Sequence, residues 1–227
     1  MKADATTAVG IDGCRGGWIA AICRPDGSMD WLLEAKSADI LKQLPEASTI
    51  LVDMIIGLPD RKTPFRQCDL EARTLLRPHG SRVFSAPPRE ALTAESYPEA
   101  CELARGATGK AISKQCWHLF PKIRELDAIS DPRVRESHPE LVFTRLNGSV
   151  PVGPSKKSPV GQALRLNCLE AKLPHARSGY DEVLRLYPRK DLARDDAIDA
   201  LALCAVARHP EKLRPITADP ASPQIWH

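Results

Sequence analysis

Near the start of the chain an apolar run, Ala8-Val9-Gly10-Ile11-Asp12, ends in an aspartate. Gly13, Gly16 and Gly17 follow, and a second apolar run begins at Trp18. The pattern predicts a strand, a tight glycine-rich turn and an antiparallel return strand. Glycine adopts positive φ and lets other groups approach the backbone closely. Asp12 is therefore expected at a strand end, beside a turn with few side chains to block a ligand. Aspartate also serves as an ordinary turn former, and residues 8–22 alone do not separate the two roles.

Other acids sit in comparable places. Thr49-Ile50-Leu51-Val52-Asp53-Met54-Ile55-Ile56 is the most strand-like run in the chain, and Asp53 interrupts it. Apolar runs of this kind usually lie inside a sheet, covered on both faces. A carboxylate there is costly unless it is paired or holds a cation, and an arginine salt bridge is the plain alternative to a metal. Further on, Arg194 to Ala207 forms an alanine- and leucine-rich helix pattern in which Ile198, Leu201, Ala202 and Ala205 make a buried stripe. Asp196 and Asp199 share a face three residues apart, and Asp195 is the expected N-cap. The helix dipole favours acids in a first turn, but that does not explain an acid at Asp199 in so apolar a helix.

The remaining pattern fills in an α/β chain. Residues 29–34 continue a meander after the Pro25-Asp26-Gly27 turn, and a short helix follows from an expected cap at Ser37. Residues 61–133 are mostly helical and charge-rich, with helices expected over 65–76, 97–105 and 115–126 and a basic loop, 81–89, between the first two. Arg89, Lys114 and Lys122 in this region are candidate phosphate contacts, set against a plain solvated face around Trp117. Strand character is expected over 134–143, leaving Glu140 where the chain exits the sheet beyond Pro139. Lys156-Lys157 falls in a proline-flanked loop, and helices are expected over 164–173 and 180–186, with a late edge strand at 224–226. Residues 1–7 are expected to be irregular.

Composition narrows the class. With 227 residues, 43% hydrophobic, the chain can bury a good core as one domain, 1–227, with residues 61–133 as a helical insertion. No run has signal-peptide form or the length of a membrane span, so a cytoplasmic protein is expected. The seven cysteines lack C-x-x-C spacing, which disfavours a zinc knuckle or redox pair and suits buried, reduced thiols. A net charge of +3 is too mild to argue nucleic-acid binding by itself, and 5% aromatics do not make a long base-stacking platform.

If the first and fourth strands are central neighbours and the last helix crosses them, Asp12, Asp53 and Asp196/Asp199 converge. Two carboxylates about 4 Å apart repel by roughly 4 kcal/mol at an effective dielectric near 20, so such a group calls for a cation. Oxygen-only ligands suit Mg²⁺ or Mn²⁺.

Four separated stretches carry a resemblance. Gly10-Ile11-Asp12-Gly13, Asp53-Met54-Ile55-Ile56-Gly57-Leu58-Pro59, His138-Pro139-Glu140 and Asp195-Asp196-Ala197-Ile198-Asp199-Ala200-Leu201-Ala202 are similar, in order, to the signatures of the predicted RNase H-fold nuclease family, domain of unknown function 429. Ile55 departs from that family, which often has proline there. The final helix also resembles that of RuvC-type resolvases. The resemblance implies an RNase H-like mixed five-stranded sheet flanked by helices and hydrolysis of phosphodiester bonds with two Mg²⁺ or Mn²⁺ ions. Asp12, Asp53, Asp196 and Asp199 would hold metal, Glu140 would be a fifth acid, and nucleic acid is the expected partner. Oligomeric state stays open, a homodimer included. Two other readings stand beside this one. The acid-glycine turn resembles the phosphate-binding hairpin of actin-like ATPases and sugar kinases, although those need a second related domain. A non-catalytic nucleic-acid-binding module would keep the fold without needing all four acids.

Overall fold

The computed structural model describes residues 6–227. The expectation of an irregular start falls mostly on residues 1–5, outside the described residues, while Thr7 already belongs to the first strand. Contacts divide the chain into two compact units. The first comprises the chain up to Met54, Asp131–Arg214 and Trp226–His227, and the second Ile55–Ser130 and Pro215–Ile225.

The first unit holds a five-stranded sheet. Strands β1 (Thr7–Cys14), β2 (Gly17–Cys23) and β3 (Met29–Glu34) form the antiparallel meander; helix α1 (Ser37–Gln43) then leads to β4 (Ser48–Asp53). β4 lies parallel to β1 on its other side, and β5 (Val134–Glu136) lies parallel to β4, giving the order β3-β2-β1-β4-β5. This is a mixed, open α/β sheet, consistent with the expected RNase H-like architecture. The turn between β1 and β2 is tight because Cys14 pairs with Gly17. Gly17 has φ of 126°, and a Cβ there would lie 2.2 Å from the Glu34 carbonyl oxygen, so no other residue fits without moving β3.

Four helices of this unit complete its core: α5 (Pro139–Leu146), α6 (Pro159–Glu170), α7 (Ala176–Leu186) and α8 (Arg194–Ala207). Along β1 side chains alternate between faces, and the face carrying Ala8, Gly10, Asp12 and Cys14 meets α8. These residues are small, which lets the helix lie directly on the strand. A Cβ on Gly10 would be 2.1 Å from the Ala200 carbonyl oxygen and 2.3 Å from the Cys204 amide nitrogen. α8 is buried on every side from Ala197 to Ala207, rather than along the expected single stripe, because α5, α6 and α7 also pack against it.

The second unit contains the helices α2 (Gln67–Leu75), α3 (Tyr97–Thr108) and α4 (Lys114–Asp127), with short 3₁₀ turns at Gly80–Arg82 and Arg89–Thr93. Phe120 and Ile123 are fully buried in it. The Arg124 guanidinium donates to the Leu92 and Ala94 carbonyls at 2.7 and 2.8 Å, tying the second 3₁₀ turn to α4. Trp117 is half-buried between Tyr97 and Phe120, with ring centroids 6.4 and 4.9 Å apart.

Several local expectations are corrected. The stretch 134–143 is not one strand. β5 ends at Glu136, and Pro139 starts α5, with the His138 Nδ1 accepting the Glu140 amide at 3.2 Å as the N-cap. Proline is favoured at a first helical position, so Pro139 begins an element instead of breaking one. α1 starts at Ser37 itself, with Lys36 in the cap position. α6 starts at Pro159, five residues before the expected start, capped by the Ser158 hydroxyl. At 224–226 there is no strand, only a single parallel bridge between Ser137 and Trp226. All seven cysteines are free thiols, and only Cys168 is not buried. Among the described residues no helix is long and apolar enough to cross a membrane.

Candidate metal centre

Strand pairing itself builds the site. β1 and β4 run parallel, and their register sets Asp12 directly beside Asp53 at the last pair of their ladder. Helix α8 brings the third acid. Its contact at Gly10 fixes Ala200 against the strand, and Asp199, one residue earlier, projects from the same buried helix with no exposed surface. Asp12, Asp53 and Asp199 each offer a carboxylate oxygen, and these three atoms lie within 4.8 Å of one another. The group could hold a metal ion.

Hydrogen bonding leaves that capacity unspent. One Asp12 oxygen accepts the Gly13 amide at 2.7 Å. Asp199 Oδ2 accepts from the Lys156 ammonium, whereas Asp199 Oδ1 is buried and has no hydrogen-bond partner among the described residues. A buried carboxylate oxygen without a partner is costly, and a cation is the partner an all-carboxylate donor set attracts most strongly.

The electrostatics agree. Burial, reinforced by Asp53, Asp199 and Asp196, holds the Asp12 carboxyl well above the usual carboxylate range, against the pull of Lys156. Burial also raises Asp53, opposed by His138 and Lys156. Asp199 is pushed up to about 7, again by burial first, with Lys156 opposing and Asp53 adding to the rise. The neighbouring carboxylates, Asp199 above all, hold the Lys156 ammonium protonated far above its ordinary range. When all three carboxyls are ionised, the one ammonium does not balance them and the site is net negative.

The other expected site residues are placed differently. Asp196 is outside the group of three. It is the third residue of α8, and its carboxylate accepts the Ala193 amide at 3.2 Å, so Ala193, not Asp195, is the cap position. Burial and then Asp195 raise Asp196 to about 6. Glu140 is buried in the first turn of α5 and engaged with the fully buried Arg165, whose guanidinium donates to both carboxylate oxygens at 2.7 and 2.9 Å. Arg165 also donates to the Pro154 and Gly161 carbonyls, both at 3.0 Å. The pair thus anchors the loop that delivers Lys156. Arg89, Lys114 and Lys122 lie in the second unit. Arg89 is bound through two hydrogen bonds to Asp127, at 2.6 and 2.8 Å, and Lys114 opens α4.

The pairing of Lys156 with Asp199 is not foreshadowed by the sequence. The only local signal of Lys156 is a Lys-Lys pair between prolines, and its partner Asp199 lies 43 residues away.

Residues 10–222 match the family model described as "Protein of unknown function (DUF429)". The chain belongs to this family. No curated protein and no solved structure matches it.

Proposed function

We propose that this DUF429 protein is a metal-dependent nuclease that hydrolyses phosphodiester bonds. The observation that carries the reading is the convergence of the Asp12, Asp53 and Asp199 carboxylates from two central strand ends and a buried helix. All-oxygen donors suit the hard cations Mg²⁺ and Mn²⁺. Asp12, Asp53 and Asp199 would hold one ion, and Asp196, whose charge is felt at Asp12, is the further acid that a second ion would call on. Bound there, such ions would supply Lewis-acid stabilisation of the attacking and leaving oxygens of a phosphodiester.

The chain's own residues prepare that chemistry. Asp12 and Asp53 are held by strand register, so their separation does not depend on loop order. Lys156 neutralises part of the cluster and steadies it when no metal is bound. The Glu140–Arg165 pair fixes the loop on which Lys156 sits. Burial of Asp199 keeps bulk water from competing for its carboxylate.

Three variants test the reading. Millimolar Mn²⁺ is expected to raise the melting temperature, by about 2.7 kcal/mol of stability at a hundredfold excess over the dissociation constant. Asp53→Asn should abolish the rise. Lys156→Met removes the resident ammonium and should tighten Mn²⁺ binding about tenfold, roughly 1.4 kcal/mol, measured by calorimetric titration. Asp12→Asn should fold yet lose Mg²⁺-dependent cleavage of oligonucleotides. A wild-type melting temperature indifferent to Mn²⁺ would remove the basis of the proposal.

A further inference from the structure

A cavity of about 660 Å³ adjoins the acid cluster. Its wall contains the chain neighbours of the site residues: Gly13 follows Asp12, Lys157 follows Lys156, and Asp196 stands one helical turn before Asp199. Four cations line it from separate elements. Arg15 comes from the β1–β2 turn, Lys157 from the loop before α6, Arg189 from the segment after α7, and Arg194 from the first position of α8. All four are exposed, and none of their side chains makes an ion pair or hydrogen bond among the described residues. By contrast Arg24, Arg89, Arg133 and Arg177 are each paired with an acid.

The wall is polarised. Asp195 and Asp196 lie on it as well, with Asp196 nearest in sequence to the carboxylate cluster. A ligand fitting this arrangement carries negative charge at more than one point along its length, to meet cations on separate elements. A phosphodiester chain meets that description, because its phosphates repeat along the strand and each is singly charged. Among the described residues no aromatic side chain lines the cavity, so the lining offers no ring for stacking on a base. The glycine backbone at Gly13 allows close approach to the wall. The size lies within the usual range for ligand sites, about 300–1,000 Å³.

We propose that this cavity binds the sugar-phosphate backbone of a nucleic-acid strand, independently of base sequence, on the stretch flanking the phosphate that reacts at the acid cluster. Arg15, Lys157, Arg189 and Arg194 are its phosphate contacts, in place of the Arg89, Lys114 and Lys122 expected from sequence. The assignment rests on the nuclease reading for the identity of the polymer, but the binding itself needs no metal.

The test is fluorescence anisotropy with a labelled mixed-sequence single-stranded oligonucleotide, in EDTA, across a salt series. The triple variant Arg15→Gln/Arg189→Gln/Arg194→Gln is compared with Arg89→Gln/Lys114→Gln/Lys122→Gln, which loses the same charge from the second unit. The pocket variant should bind about tenfold or more weakly at low salt, with a salt slope shallower by about 2 for the lost phosphate contacts. The second variant should change by less than about twofold, and a homopolymer of any base should bind wild type alike. Equal weakening in both variants, no weakening in the first, or no oligonucleotide binding by wild type would overturn the assignment. So would ATP that binds more tightly than the oligonucleotide. Because the assay contains no metal, its outcome is separate from the Mn²⁺ response. Pocket-dependent binding without any Mn²⁺ stabilisation would sink the nuclease reading and keep the cavity assignment.

Discussion

Gly10→Ala is expected to destabilise the protein by about 3 kcal/mol or more, at or beyond the upper end of the usual cost of overpacking. The added Cβ would sit 2.1 Å from the Ala200 carbonyl oxygen, 2.3 Å from the Cys204 amide nitrogen and 2.8 Å from the Leu203 Cβ. Two of these atoms are backbone, so no side chain can rotate away, and α8 must move off β1 as a body. That helix is buried from Ala197 to Ala207 and packs against β1, β2, β4 and three helices, so little around it can yield. Stability of an ordinary domain is only about 5–15 kcal/mol, and this one methyl group would consume much of it. Gly106→Ala supplies the contrast. Gly106 lies in α3, is exposed and has nothing within 4 Å of its Cβ position, so the same substitution should stabilise by about 0.5–1 kcal/mol through helix propensity. Urea unfolding midpoints measure both. A Gly10→Ala midpoint equal to that of wild type would mean that α8 does not rest on β1 as described. The substitution also displaces Asp199, so any fraction that folds should show a weakened Mn²⁺ response.

That contact shows why part of the site was readable from sequence. Asp12 and Asp53 each break an apolar run near its end, and period-2 strands leave few alternatives for where such residues go. Asp199 was conspicuous as an acid in an alanine-leucine helix. The convergence of all three follows from a strand order that was expected. Glu140 is legible as an acid but not in its surroundings, because a proline after a strand-like run signals a strand end as readily as the first residue of a helix, which Pro139 is. Asp195 has the composition of a cap, yet the helix begins at Arg194, because Asp196 reaches back to the Ala193 amide. Local propensity named a suitable residue and tertiary packing chose the register.

The least legible residues are the cations. Lys156 and Arg165 belong to neither a periodic pattern nor a motif. Their roles arise from a loop closing over the sheet end and from a carboxylate 25 residues away from Arg165. Arg15, Arg189 and Arg194 are likewise far apart in sequence and meet only around the cavity. A surface arginine carries no spacing signal: density of charge, as in the stretch 61–133, is visible in sequence, whereas convergence of cations from separate elements is not.

The acid cluster also predicts an inverted pH response. In the metal-free protein, stability should fall by several kcal/mol as pH rises from about 4 to about 7. Burial lifts the Asp199 carboxyl from an ordinary 3.8 to about 7, so between these values the folded state holds a proton that the unfolded state has released. Each pKa unit corresponds to about 1.4 kcal/mol, which makes the Asp199 share about 4 kcal/mol over the whole window. Asp12 and Asp53, raised by the same burial, add in the same direction. Lys156 contributes a constant amount there, since it stays charged throughout and its stabilisation is lost only above its ordinary 10.5 value. The exposed carboxyls held low by hydrogen bonds, such as Asp26, Asp60 and Asp219, lose their stabilisation as pH falls toward and below their ordinary 3.8, so they do not mask the trend above pH 5. Metal-free unfolding measured from pH 5 to 7.5 should therefore show higher stability at the acidic end, and Asp199→Asn should flatten the curve by removing its share. Mn²⁺ should reverse the response, because the ligating carboxylates must give up their protons. The increment in melting temperature that it confers should grow with pH across the same window. A metal-free profile that rises with pH and is unchanged by Asp199→Asn would show that the three carboxylates do not share one buried site.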